Sequence, residues 1–223
     1  MRRSICVGVI MAMLGLSAAA IAQERFDYQV RDDMFRAFGG NEAAFKNAMA
    51  KIDATLAANP DHAEALVWRG AGTYWKAGQA FRGGDAAGAR ALATAAMADL
   101  DRAIALAPRD IGVLIPRAAV LLVAARNQPE PARARDLAAR AAADYETPFA
   151  LRQAAFAGLG LHNRGEYLSG LAEAWALAGD RDKSETYLRR ILADLPGSPY
   201  AERASAKLGD WSYRGQLNCQ SCH

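Results

Sequence analysis

Cysteine is scarce in this chain, with three among 223 residues, so no framework of disulfides of the kind that staples small secreted domains can form. Runs of β-branched residues are nearly absent. Alanine is abundant and spread through long segments, with glycine and proline falling at intervals, and that composition argues for an all-α protein. Charge of one sign is also missing: 27 basic residues face 24 acidic ones, which leaves no electrostatic footprint for nucleic acid or an anionic membrane. No Gly-rich phosphate loop, nucleophile elbow or His-Glu-x-x-His helix occurs. The length suits one sizeable core or an array of small units, and is too short for several enzyme domains.

The one long hydrophobic run is at the start. Met1-Arg2-Arg3 is basic, residues 5–16 are apolar and uncharged, and Ala20-Ile21-Ala22 is a small-x-small cleavage site. Residues 1–22 therefore read as a secretory signal peptide cut after Ala22. The competing reading is a retained anchor, because the uncharged stretch 4–22 approaches the length that spans a bilayer. After cleavage no membrane span is expected, and loss of Arg2 and Arg3 brings the net charge from +3 to about +1. Cys6 leaves with the leader, so Cys219 and Cys222 are the cysteines of the mature chain, which is expected in the periplasm.

Helical periodicity fills the remainder. Asn41 is an N-cap candidate ahead of Phe45, Ala48, Met49, Ile52 and Leu56, and Asn59-Pro60-Asp61 is the stop. Further helices are predicted over 63–76, 86–106 (capped by Asp85), 111–126, 131–144, 148–161, 165–178, 180–195 and 199–208. Helix ends also recur in a fixed order of small, large, small and proline: Ala48, Ile52, Thr55, Pro60; Ala96, Leu100, Ala103, Pro108; Ser184, Leu188, Ile191, Pro196.

These segments resemble tetratricopeptide repeats, whose paired helices carry a large-x2-Leu-Gly-x2-aromatic pattern and then an Ala…large…Pro pattern. The late unit fits best. Leu168, Leu171, Ala172 and Trp175 stand on its first helix, Gly179-Asp180 at its turn and Pro196 at its close, with Ala172 where glycine is usual and Ile191 where alanine is usual. A middle unit begins at Ala63 with Gly70 but carries about fourteen extra residues before Ala96. A third, over 111–148, is weaker because Pro116 interrupts its first helix. The stretch 195–209 is similar to repeat junctions of periplasmic tetratricopeptide proteins, with residues from Ser198 starting a capping helix. The resemblance implies an all-α, tetratricopeptide-like solenoid over residues 23–208 with a short irregular tail over 209–223, and a curved groove that holds a peptide or protein partner.

The tail carries the chemistry. Cys219-x-x-Cys222-His223 is the attachment signature for one covalent haem c: two thiols spaced to reach the two vinyl groups of one porphyrin, and an adjacent imidazole to meet the iron as axial ligand. Similarity to c-type cytochromes implies maturation outside the cytoplasmic membrane, in agreement with the leader. Other chemistries compete for the same residues. The cysteines can close a disulfide, act as an exchange pair, or hold part of a zinc site with His223. An exchange pair normally opens a helix of an α/β fold, and zinc would need a fourth ligand from His62 or His162.

Residues after Leu208 are too few to bury a porphyrin alone, and Trp211, Tyr213 and Leu217 are the local candidates to cover it or simply to pack on the last helix. His162 and His62 are candidates for the sixth iron ligand, alongside an open position or a ligand from a partner. Met34, Met49 and Met97, at helical spacing, read as core. Asp32-Asp33 and Asp99-Asp101 read as solvated helix faces, as do Arg133, Arg135 and Arg140. The functional expectation is an exported repeat scaffold that passes electrons between its haem and a docked protein. The alternatives are a haem-free scaffold with a terminal disulfide and, more weakly, a small haem peroxidase for which no distal acid-base pair can be named.

Overall fold

The computed structural model describes residues 25–213 and 215–217, so the leader and the Cys219, Cys222 and His223 motif lie outside the described residues. Those described are all-helical, with no strand among them: α1 (Phe26–Phe38), α2 (Glu42–Ala58), α3 (Ala63–Arg82), α4 (Ala86–Leu106), α5 (Ile111–Asn127), α6 (Pro131–Arg152), a 3-10 segment (Gln153–Gly158), α7 (Leu161–Ala178), α8 (Arg181–Asp194) and α9 (Pro199–Gly209). None of these helices is long and apolar enough to cross a membrane.

Two kinds of junction alternate. After α1, α3 and α7 the chain turns on a glycine of positive φ, at Gly40, Gly84 and Gly179, a conformation that costs a residue with a Cβ. The next residue caps the following helix: Asn41, Asp85 and Asp180 accept from the backbone N–H of Ala44, Gly88 and Lys183, satisfying donors that a helix start otherwise leaves open. After α2, α4 and α8 a proline comes first (Pro60, Pro108, Pro196), and the cap stands two residues later. There His62 accepts through Nδ1 from Ala65, Asp110 from Gly112 and Ser198 from Ala201. The α5–α6 and α6–α7 links follow neither pattern, since α6 and α7 start without a side-chain cap.

The helices pack as successive antiparallel neighbours, α1 on α2, α3 on α4, α5 on α6 and α7 on α8, and each odd-numbered helix also touches the next odd-numbered one, from α1 to α9. Two adjoining cores result. One gathers Val30, Met34, Ile52, Leu66 and Leu100, and the other Leu121, Leu168, Leu171, Leu188 and Ile191. Tyr74 and Met97 border both. Each fully buried Leu or Ile contributes about 1.5–3 kcal/mol, so the stack and not any single pair supplies stability.

Several expectations change. Helix α1 had no counterpart in the periodicity. Pro116 does not interrupt its helix: α5 runs through it, because Val113, Leu114, Ala118 and Leu121 are buried on either side of it and packing outweighs one lost backbone hydrogen bond. The predicted helices 131–144 and 148–161 are instead the continuous α6 through Pro148 and then a 3-10 segment, with Tyr145, Phe149 and Phe156 buried along the way. Asp33 is not solvated. It is buried and pairs with Arg36 and with Lys51.

Asp99 accepts two bonds from Arg69, at 2.7 and 2.6 Å. Asp101 pairs with Arg117 and with Arg140, so Arg140 is engaged and not a free solvated face. Arg117, 5% exposed, also donates to the buried Asp144 at 2.5 Å. This joins α5 to α6, with Asp101 of α4 as a third member. Desolvation pushes the Asp144 carboxyl up from its ordinary range, and the Arg117 charge and hydrogen bond oppose that push.

Removing one member of such a pair leaves a charge buried without its partner. Arg117→Ala is expected to destabilise the fold by about 3–5 kcal/mol in urea unfolding followed by circular dichroism. A loss below about 1 kcal/mol, the scale of a surface pair, would contradict this.

Candidate functional site

The described residues closest in sequence to Cys219 are held against the C-terminal helices. Asp210 ends α9 and accepts from both the backbone N–H and the hydroxyl of Ser212. Those bonds hold its carboxyl below the usual range. Lys207, in the last turn of α9, donates from Nζ to the carbonyls of Trp211 (2.8 Å) and Tyr213 (3.0 Å), so a single ammonium ties two residues of the tail to α9. The Trp211 ring lies under the Arg181 guanidinium of α8, 4.3 Å from its centroid, a cation–π contact. Leu217 is 3% exposed and belongs to the second core.

This fold-back encloses a cavity of about 300 Å³ between α5, α7, α9 and the tail. Ala176 and Leu177 line it from α7, Tyr213 and Leu217 from the tail, and Lys207 from α9. Arg126 and Glu173 complete the wall, locked to one another by two bonds of 2.6 Å each. Close by along α7, the Trp175 indole N–H donates to Glu146 at 3.0 Å, and the Lys183 ammonium sits 3.6 Å from the centre of its ring.

Leu217 precedes Cys219 by two residues, a span of at most about 7 Å of extended chain. A group bound through Cys219 would therefore stay within reach of this cavity, whose lining mixes Arg126, Glu173, Lys207 and Gln216 with Ala176, Leu177 and Leu217. Cys219, Cys222 and His223 themselves lie outside the described residues.

The two other histidines are not brought together. His62 caps α3 through Nδ1, and its ring is 5.0 Å from that of Phe26, beside the first core. His162 stands in the first turn of α7, its Nδ1 3.1 Å from the hydroxyl of Tyr200. That hydroxyl also donates to Glu166 at 2.9 Å. Fourteen residues of helix, about 21 Å at 1.5 Å per residue, separate His162 from Ala176. Met34 is fully buried, and Met34 and Met49 both lie against Gly72. No group of three or more His, Cys, Asp or Glu side chains that could hold a metal occurs among the described residues.

A wider depression of about 840 Å³ borders α1, α2 and α3 and is lined by Phe26, Thr55, Asn59, His62, Glu64 and Asp110. Burial pushes the Glu64 carboxyl up, although it accepts the Asp27 N–H at 3.0 Å. It is an open surface, polar and apolar in equal part, with no group of three or more His, Cys, Asp or Glu that could hold a metal among the described residues.

Trp211, Tyr213 and Leu217, the sequence's candidates to cover a haem or to pack on the last helix, all pack in or against the second core, while Arg126, Glu173, Ala176, Leu177, Lys207, Gly215 and Gln216 were not singled out by the sequence. The signal for Lys207 was its place near the end of α9, where a cation complements exposed carbonyls. Comparison of the chain with protein-family models, with curated proteins and with solved structures finds no significant match.

Hydrogen bonds from a charged donor are worth about 1.5–3 kcal/mol each. Lys207→Ala is expected to speed amide exchange at Tyr213, whose N–H donates to Asp210, about tenfold or more, with the amides of α7 and α8 unchanged. Unaltered exchange at Tyr213 would show that Lys207 does not hold the tail.

Proposed function

We propose that the chain is an exported scaffold of the tetratricopeptide type, stacked as a solenoid, that carries one covalent haem c and exchanges electrons with a protein docked on its repeats. The observation that carries this reading is the sequence Cys219-x-x-Cys222-His223, which starts two residues beyond a tail segment anchored to α8 and α9. The alternating junctions, glycine-then-cap within a pair and proline-x-cap between pairs, support the repeat reading. So does the continuous contact of odd-numbered helices, since stacked pairs bury faces that no pair buries alone.

In this reading Cys219 and Cys222 supply the thioethers and His223 the axial imidazole. The haem, when bound, supplies reversible one-electron chemistry at its iron. This chain's helices contribute position, partial cover and a surface for the partner. His162 lies about 21 Å along α7 from Ala176 and His62 lies beside Phe26 and the first core, so in this reading the sixth position would be left to solvent or to the partner. The nearly balanced charge of the mature chain gives no reason to invoke nucleic acid. The leader and the need for maturation outside the cytoplasm together argue for the periplasm.

Expression of the full precursor together with a c-type cytochrome maturation system tests the reading. Intact-mass analysis of the exported protein should show one added haem that survives acid–acetone extraction, and Cys222→Ser should weaken or abolish that attachment. An exported chain lacking haem and lighter by two hydrogens would overturn the proposal in favour of a haem-free scaffold closed by a Cys219–Cys222 disulfide.

A further inference from the structure

We infer that the described tail residues, 211–213 and 215–217, form a strap over the α5, α7 and α9 end of the row of odd-numbered helices, and that a partner's peptide segment docks there by displacing it. The inference rests on the scaffold reading above and adds where a partner docks and what it must move. It makes no use of the haem.

Three observations carry it. The first is the path of the chain. Odd-numbered helices touch in succession and so share one side of the stack. The chain leaves α9 after Gly209 and turns back along that side, because Tyr213 and Leu217 line one cavity together with Leu177 of α7 and Arg126 of α5. The protein thus covers with its own tail a face that its helices would otherwise present to solvent.

The second is the manner of anchoring. Side chains hold the strap: Lys207 binds the carbonyls of Trp211 and Tyr213, Arg181 lies over the Trp211 ring, and Leu217 is buried in the second core. Carbonyls, a ring face and a leucine are features that another extended segment can also offer. The present occupant therefore defines the chemistry of a competitor, a tyrosine followed four residues later by a leucine.

The third is fit. About 300 Å³ stays unfilled between the strap and the helices, and walls that face such a space forfeit contacts. The charged part of that lining is matched within itself, since Arg126 is bonded twice to Glu173, so a segment that fills the space strands no buried charge. A strap on the same chain is present at high effective concentration. It masks the face, and the apparent affinity for a partner segment falls by the fraction of molecules whose strap is open.

The probe is a fluorescent peptide of residues 210–217, capped at both ends, added to the full chain. Leu217→Asp unseats the strap by placing a charge in a buried site and leaves α5 and α7 unaltered. The peptide is expected to bind this variant about tenfold or more tightly than the parent, with Tyr213→Ala changing affinity in the same direction and far-ultraviolet helicity as in the parent. Adding Leu177→Ser on α7 should abolish the gain. If Leu217→Asp loses helicity, Tyr213→Ala carries the test alone. Equal binding to the parent and to the unseated variants would overturn the strap and leave the docking reading standing. Binding to none of them would overturn the strap and remove this face from the scaffold reading as well.

Discussion

Helix α3 approaches α4 so closely that a Cβ added at Gly70 would lie 3.0 Å from the Leu100 side chain and 3.1 Å from the Ala96 carbonyl. The same constraint recurs down the stack. A Cβ at Gly112 of α5 would meet Glu64 of α3 at 2.1 Å, one at Gly170 of α7 would meet the Tyr145 ring of α6 at 2.8 Å, and one at Gly165 of α7 would meet the Tyr200 ring of α9 at 2.2 Å. Small residues at these positions let large ones from the neighbour lie flat across the helix, which is how amphipathic helices with many alanines still fill a core to native density. The two cores, the order of the pairs and the placing of α9 depend on these approaches, and α9 in turn carries Lys207 and the tail.

Polar groups are drawn into the same interfaces. Arg117 lies between Asp144 of its partner helix and Asp101 of the preceding pair, and Arg126 reaches from α5 to Glu173 of α7. Each of these contacts crosses between helices, so each fixes register as well as contributing energy. At the C-terminal end the pattern changes from charge pairing to carbonyl capture: Lys207 binds two backbone oxygens and thereby turns an irregular stretch into one wall of a cavity.

Much of the helix layout was legible in the sequence because its punctuation is local. Asn41, Asp85 and Asp180 after glycines, and prolines two residues ahead of His62, Asp110 and Ser198, act within a few residues of their own backbone. What was illegible depends on partners distant in sequence. Pro116 and Pro148 look like breaks, yet the burial of their neighbours carries the helix through both. Asp33 looks solvated until Lys51, on another helix, is seen to reach it. At the proposed site the division is the same. Cys219, Cys222 and His223 are proposed from their spacing and lie outside the described residues, whereas a cavity built from Ala176, Leu177 and Lys207 has no motif, since it exists only where α7, α9 and the tail meet.

The central claim is that a redox-active iron sits at the α7–α9 end of a helical scaffold. Methyl resonances of the haem-loaded protein, compared between its ferric and ferrous states, test it most directly, because a paramagnetic iron shifts and broadens only nearby nuclei. The account predicts large changes at Leu177 and Leu217, and none at Ile52, Leu56 or Val67 in the first core. Equal changes in the two groups, or changes confined to the first core, would contradict it.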